Sequence, residues 1–361
     1  MHDLIVIGGG PAGTSAAITA ARSGASVLLA ERGKFPRHKV CGEFVSAESL
    51  ELLRSLLAPR FEPLLQAAPL ISQARIFLDG HMLRAPVDPP AASIARFGLD
   101  QALWNSAKEN GVDARPEVAV LSIAGKGPFR VMTSTAEFEG RAVVNASGRW
   151  SNLNSRSHDS VPREKWLGLK GHFAEPQTQA SVDLYFFDRG YCGVQPVAFQ
   201  GTQTTINVCA MVRADAATTL QEVFAVHPAL AERARFWQPV TEPVSTSPLI
   251  FRPPLPAKGN VLNAGDAAGF IDPFVGDGIS LALRSGALAA RMLGPYFSGA
   301  ASLDQTVCEY GRAYGHSLLP VFRNSSRLRQ AFRLPRMVRL PILSILAMNC
   351  ALTRRLVRST R

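Results

Sequence analysis

The apolar run DLIVI (3–7) leads directly into GGGPAG, then an alanine-rich stretch that stops at Gly24, then a second apolar run, SVLLAE (26–31). Periodicity reads this as strand, tight turn, helix, glycine stop and strand. Two strands and a helix within 31 residues must form a parallel pair joined by a right-handed crossover. That opening rules out all-helical and purely antiparallel architectures and predicts an α/β sheet with helices packed on it.

The turn carries chemistry as well as topology. Gly8, Gly10 and Gly13 spell G-x-G-x-x-G. Gly8 permits the tight turn, Gly10 lets a pyrophosphate approach the backbone, and Gly13 lets the helix lie close to the strand. The helix N-terminus then offers free N–H groups and a favourable dipole to phosphate. Glu31 ends the second strand, where a carboxylate can bind both ribose hydroxyls and would repel a 2′-phosphate. The motif predicts a dinucleotide and leaves NAD and FAD both open.

A second signature closes that choice. VLNAGDAAGFIDPFVGDGISLALRSGALAARML places Asp266 after a buried strand and Gly265, at the edge where ligands of open α/β sheets bind. The turn DPFVGDG opens a helix whose inner face carries Ala282, Gly286 and Ala290, small enough for close packing. The helix start at Gly276–Ile279 aims N–H groups at an electron-rich group, and a reduced isoalloxazine with negative charge near N1 and the C2 carbonyl matches it.

Between these signatures the chain reads as strands around DGH within 70–87, a helix over 96–111, a hairpin across AGKG, and a strand at 141–148. From about 168 to 252 the texture turns β-branched and aromatic, which predicts a mostly antiparallel sheet, with two short helices near 218–236. A long amphipathic helix is expected over 302–332, kinked at Pro320. The fold class is therefore α/β (α+β), a Rossmann-like three-layer domain with an inserted sheet and a helical C-terminus. The expected divisions are 1–70, 96–167 and 253–300 for the dinucleotide domain, 71–95 and 168–252 for the substrate sheet, and 301–361 for the C-terminal helices.

The paired motifs resemble flavoproteins of the aromatic-ring hydroxylase, geranylgeranyl reductase and flavin-dependent halogenase group, over about residues 1–330. The resemblance implies a non-covalent FAD, since no His or Cys stands in an evident flavin-linking context. It implies that Asp266 binds the ribityl chain, that Gly276, Gly278 and Ile279 cradle the ring, and that Arg96 opens a helix beside the flavin. Val118, in the strand after that helix, matches a backbone contact to adenine. PRHKVCGE (36–43) resembles a loop that passes close to the flavin in reductases, so Cys41 is the candidate catalytic residue, or else a small buried one. The full set of implied cofactor contacts is Gly8, Gly10, Pro11, Ala12, Gly13, Glu31, Arg32, Cys41, Arg96, Val118, Ala146, Gly148, Gly265, Asp266, Gly276, Gly278 and Ile279.

The chain also departs from the group. Ala146-Ser147-Gly148 puts serine where the hydroxylases have an acid, in a region that engages NADPH as well as FAD. The electron donor is then NAD(P)H or a separate reductase. The halogenase W-x-W-x-I-P is absent, and GYCGVQPV (190–197) keeps Gly190, Tyr191 and Pro196 of the reductase pattern but has Gly193 for its Trp, which predicts a widened space. The leading expectation is a monooxygenase acting through a flavin C4a-hydroperoxide on a hydrophobic polyketide-like or isoprenoid substrate. The alternatives are a geranylgeranyl reductase-like enzyme delivering hydride from N5 to a carbon–carbon double bond, and an electron carrier without a small-molecule substrate.

Composition narrows the partners. Five scattered cysteines without CxxC, and seven histidines without a clustered pair, predict neither a disulfide framework nor a metal site and suit a reducing, cytoplasmic setting. The apolar runs LIVI and 340–352 are too short for a signal core or a bilayer span, respectively. Of the net charge of +11, residues 323–361 supply ten arginines and no acid, leaving +1 for the rest. That is not the distribution of a nucleic-acid module. It predicts either a peripheral membrane contact through the tail or a helix pair with its Arg stems snorkelling to water.

Overall fold

The apolar run at the N-terminus forms a strand with Leu4, Ile5 and Val6 fully buried, and it is the centre of the first sheet. The computed structural model describes residues 1–149, 153, 164–332, 334 and 337–338. The first part of the chain gives β1 (His2–Ile7), α1 (Pro11–Arg22), β2 (Val27–Glu31), β3 (Phe44–Val45), α2 (Ala47–Leu56), α3 (Glu62–Gln66), β4 (Leu70–Leu78), β5 (His81–Ser93) and α4 (Arg96–Glu109). After it come β6 (Asp113–Pro116), β7 (Val120–Gly125), β8 (Phe129–Thr133) and β9 (Glu137–Asn145). The middle supplies β10 (Trp166–Ala174), β11 (Ser181–Phe187), β12 (Gly190–Phe199), β13 (Thr202–Arg213), α5 (Leu220–Val226), α6 (Pro228–Ala234), β14 (Gln238–Pro239) and β15 (Val244–Thr246). The last part returns with β16 (Ala257–Lys258), β17 (Val261–Asn263), α7 (Gly278–Phe297), α8 (Leu303–Ser317) and α9 (Leu319–Phe332).

The first sheet runs β16-β17-β9-β1-β2-β6, with β8 on β9 and β7 on β8. β1 lies parallel to both β2 and β9, in register Leu4 with Val27 and Leu4 with Ala142, and β17 lies parallel to β9. The parallel strands therefore all end on one side, and the glycine turn after β1, the turn after β9 and the turn after β17 meet there. The second sheet runs β14-β10-β13-β12-β11-β4-β5-β3, with β15 on β10. It is antiparallel except where β11 runs parallel to β4. It takes Phe44 and Val45 from the first part of the chain as well as the strands from the middle.

Glycines set the contact between α1 and α7. A Cβ at Gly286 would stand 2.0 Å from the Ala12 carbonyl oxygen, and one at Gly13 would stand 1.8 Å from the Gly8 oxygen. At Gly286 the two helices approach closer than a methyl group allows, while Gly13 packs α1 on the turn that precedes it, and Ser15 Oγ donates to the Leu283 carbonyl at 2.7 Å across the helix contact. Tyr310 of α8 fixes the next layer by donating to the Asn263 carbonyl at 2.7 Å.

Several local expectations change. The single kinked helix over 302–332 is two helices that break at Leu318. Pro320 becomes the second residue of α9, in a first turn where its missing N–H costs nothing. α8 starts on a reciprocal capping box between Ser302 and Gln305. Val118 is not in a strand but just before β7, with its N–H on the Glu31 carbonyl at 2.9 Å. β6, which reading by apolar alternation passed over, adds an edge to β2 because the crossover after α4 returns there.

Candidate functional site

Sixteen of the seventeen residues expected at the cofactor line one cavity of about 380 Å³. Only Gly13 lies outside it, under the Gly8 carbonyl, where it serves packing. The cavity lies where the three strand ends of the first sheet face the second sheet.

Gly10 precedes α1 in extended conformation and Pro11 opens the helix, so the first-turn N–H groups are free of helix partners. The glycines here do two kinds of work. Gly8, at φ +102°, would drive a Cβ to 2.4 Å from the Ala146 oxygen, so the turn needs it. Gly10 would meet only Arg96, at 3.9 Å, and Gly148 and Gly278 would meet nothing within 4 Å. Gly148 is left-handed at φ +79°, which by itself favours glycine, whereas neither packing nor backbone conformation explains Gly10 and Gly278, whose backbones stand open as a ligand's close approach requires.

At one end of the cavity Glu31 accepts from the Gly9 N–H at 2.8 Å, the Gly33 N–H at 2.8 Å and Arg37 at 2.6 Å. Burial pushes the Glu31 carboxyl up, but Arg37 and the two N–H groups hold it below the usual carboxylate value. Arg32 and Val118 line the same end. Lys39 also lines the cavity, and burial, with Arg37 nearby, lowers its ammonium below the ordinary lysine value.

Asp266 sits in a short 3-10 turn after β17. Gly265 holds φ +60° there, a Cβ would strike the Ala12 methyl at 2.8 Å, and its N–H is bound by Ser285 Oγ at 2.9 Å. The Asp266 side chain keeps 38% of its surface open, with Arg149 Nε at 3.6 Å as its ion-pair partner. Desolvation raises its carboxyl, and Arg149 opposes the rise. Arg149 in turn lies 4.2 Å over the Phe270 ring. Gly276 is left-handed at φ +79°, against Phe44, and turns the chain into α7. Beneath that helix start Asp277 is 1% exposed and accepts from Ser46 at 2.7 Å, and burial pushes its carboxyl up to about 6.

Arg96 opens α4 and is held by Asp100, at 2.6 Å and 2.8 Å. Burial works against its charge, but Asp100 and the Cys41 sulfur beside it raise the guanidinium above its ordinary value. Cys41 accepts from the Glu43 N–H at 3.3 Å, so the thiol has neighbours of positive character that its sequence context did not show.

The second sheet closes the cavity with one face. Gly168, Met211 and Tyr191 are register partners across β10, β13 and β12 and form one row of it. Leu249 and Phe270 extend this apolar wall. Tyr191 packs edge-on to Phe274 at 5.9 Å, and burial holds its phenol well above the usual value. Period-two alternation in GYC and NVCAM was the available signal for this wall. Gly193, expected to widen the space, does not line the cavity: the Leu184 methyl lies 3.4 Å from where its Cβ would be. Among the described residues no group of three or more His, Cys, Asp or Glu could hold a metal, and no helix is long and apolar enough to cross a membrane.

Known proteins share this fold. A family model described as FAD dependent oxidoreductase matches residues 3–36. Menaquinone reductase of Mycobacterium tuberculosis is 25% identical over 321 residues, covering 81% of this chain and 76% of that protein. A flavin-dependent brominase superposes with TM-score 0.80 at 18% identity, over 99% of this chain and 93% of the other. A geranylgeranyl bacteriochlorophyll reductase-like protein from Thermoplasma acidophilum gives 0.77 at 19% identity, over 99% and 95%. The chain is an FAD-dependent oxidoreductase. Its fold is that of solved flavin-dependent halogenases and of the geranylgeranyl bacteriochlorophyll reductase-like protein, and its sequence is similar to a digeranylgeranylglycerophospholipid reductase of Methanosphaera stadtmanae, 24% identical over 315 residues.

Proposed function

We propose that this enzyme reduces carbon–carbon double bonds of a hydrophobic, prenyl-type substrate held beside a non-covalent FAD. One observation carries the reading: a single cavity runs from the glycine turns of the first sheet to the apolar row of the second. The start of α1 would hold the diphosphate, Glu31, Arg32 and Val118 the adenosine end, and Asp266 the ribityl chain. Gly276, Gly278 and Ile279 would cradle the ring, and Ala146, Gly148, Cys41 and Arg96, which line the same cavity, would complete the cofactor contacts. Bound flavin supplies the hydride. The chain's own residues orient substrate and ring, and Tyr191, Met211, Leu249 and Phe270 keep water from the reacting carbons.

Reduction is favoured because relatives named menaquinone reductase and digeranylgeranylglycerophospholipid reductase align with about four-fifths of this chain, and because the PRHKVCGE loop lines the cavity from Arg37 to Glu43 except at His38. Oxygen insertion is the second reading, resting on the departure from the reductase sequence pattern at Gly193 and not on the cavity, which Gly193 does not line. Ser147, whose hydroxyl is bound by Asn145, stands where an acid is expected, which favours a reductase partner over direct NADPH as donor. The test is anaerobic incubation of the photoreduced protein with a polyprenyl quinone and with a geranylgeranyl lipid. A product two hydrogens heavier supports the proposal. Unchanged lipid anaerobically, with incorporation of labelled dioxygen on aeration, moves the assignment to a monooxygenase, and reoxidation by a protein acceptor alone moves it to a carrier.

The expected membrane contact falls largely outside the described residues. Arg323, Arg327 and Arg329 lie on α9, and Arg329 faces Asp272 at 3.6 Å, while the other seven tail arginines lie outside. Peripheral contact through this tail fits a lipid-dissolved substrate. It requires pelleting with anionic vesicles that weakens as salt rises; salt-independent pelleting would overturn it.

A further inference from the structure

Three ionisable side chains meet at the cavity, Glu43 from the lining loop with two residues of the second sheet, and their bonds to one another have no part in the reading so far. Glu43 is 0% exposed, Lys170 1% and His172 0%. Lysine and glutamate are almost never buried to this degree unless paired. Glu43 accepts from Lys170 Nζ, from His172 Nε2 at 2.8 Å, and from the Arg96 backbone N–H at 2.7 Å. Burial would push the Glu43 carboxyl up, yet Lys170 and His172 bring it below the usual range, so the group is a carboxylate with its donors supplied.

The bonds join three separate segments. Lys170 and His172 are two residues apart on β10 and share a face of the second sheet. Their partners across β13 are Cys209 and Asn207. Asn207 Nδ2 donates to the carbonyls of Cys41 at 3.1 Å and Gly42 at 2.9 Å. Glu43 itself holds φ +60°, a conformation rare for a residue with a side chain, which persists only where the surroundings enforce it. The same residue donates its N–H to Cys41 Sγ at 3.3 Å. The cluster thus ties the loop bearing Cys41, the start of the helix bearing Arg96, and the second sheet at one point.

Stability does not account for it. A buried ion pair replaced by apolar groups of the same volume is often neutral or stabilising. A purely apolar contact would hold loop and sheet together but would not fix the direction of the loop.

We propose that Glu43, Lys170 and His172 are positioning residues that hold the Cys41 thiol and the Arg96 guanidinium against the cavity, so that both face its ligand in one fixed arrangement. The identity of that ligand as a flavin rests on the proposed function.

The test reads how far bound FAD shields Cys41. In a Cys308→Ser/Cys350→Ser parent, iodoacetamide modification of Cys41 is followed by peptide mass with and without saturating FAD, and the visible flavin band reports binding. FAD should slow the modification about tenfold or more in the parent. Glu43→Gln/Lys170→Met removes both charges together, which spares the fold an unpaired buried ion. With the flavin band intact, shielding in this variant should fall to about twofold or less, because an ångström of displacement suffices to lose contact. His172→Phe is the second variant, since the ring already packs against Phe199 at 4.6 Å and a phenyl fits there. It should fall between the two, and it decides alone if the double variant does not fold. Full shielding in a folded variant with bound flavin overturns the inference. A parent chain that takes up no flavin defeats the flavin reading instead. In that event, or where a variant binds none, the flavin-free modification rates decide: a difference of about tenfold supports positioning and equal rates overturn it.

Discussion

Asp277 is buried under the start of α7, with one carboxylate oxygen bonded by Ser46 and the other without a hydrogen-bond partner among the described residues. Its carboxyl titrates at about 6 in the fold, against 3.8 as a free side chain. The folded state therefore keeps the proton longer than the unfolded chain. Its contribution is favourable below about pH 4 and is lost as pH rises through about 6, by roughly 3 kcal/mol in all. Asp277→Asn cannot lose that proton. Urea unfolding of both chains at about pH 4 and about pH 8 should show the variant gaining on wild type by that order across the interval. Asp266 answers a different question. Asp266→Ala removes a carboxylate that faces the cavity and, among the described residues, has Arg149 as its ion-pair partner. FAD titration should show at least about a tenfold weaker Kd, the loss of one or more charged hydrogen bonds of about 1.5–3 kcal/mol. Unchanged affinity would remove Asp266 from the site.

Among the elements, α1 and α7 decide whether the cavity exists. Their contact has no room for a methyl group at Gly286, where the obstacle is the backbone of Ala12 and cannot rotate aside. Gly286→Ala should cost about 3 kcal/mol or more and lower Tm by several degrees, read by thermal unfolding. Gly278→Ala is the control. It meets nothing within 4 Å, so it should leave Tm near wild type and weaken flavin binding instead. The elements on which sequence reading did well are those whose cause is local. β1, α1 and β2 follow from apolar runs and glycine stops within 31 residues. The split of α8 from α9 and the placement of Val118 outside a strand were missed, because apolar periodicity continues through Leu318 and Val118 whichever way the backbone turns. β6 is short and polar, and only pairing with β2 makes it a strand.

At the scale of the molecule, the site is a seam between two sheets, so a ligand filling it should bind the folded chain alone. Saturation with FAD at about a hundred times Kd should add about 2.7 kcal/mol to stability. That is a rise of a few degrees in Tm, about halved in Asp266→Ala at the same flavin concentration when its Kd is tenfold weaker, since about ten times Kd still adds about 1.4 kcal/mol. A flavin-independent Tm would mean that the seam is not the binding site.

Short-range physics made the class of fold and the flavin signatures legible from residues alone. A glycine that must turn left or admit a phosphate, and an acid at a strand end, act through their immediate neighbours and leave a mark in the order of amino acids. The apolar wall of Tyr191 and Met211, the filling of the space at Gly193 by Leu184, and the joining of Glu43 to Lys170 and His172 left no such mark. Glu43 and Lys170 are 127 residues apart along the chain, and a charged residue in isolation reads as a solvated one. Sheet register brings them together, and register depends on the pairing of distant strands, whose free energy is summed over the whole sheet and is written in no single segment.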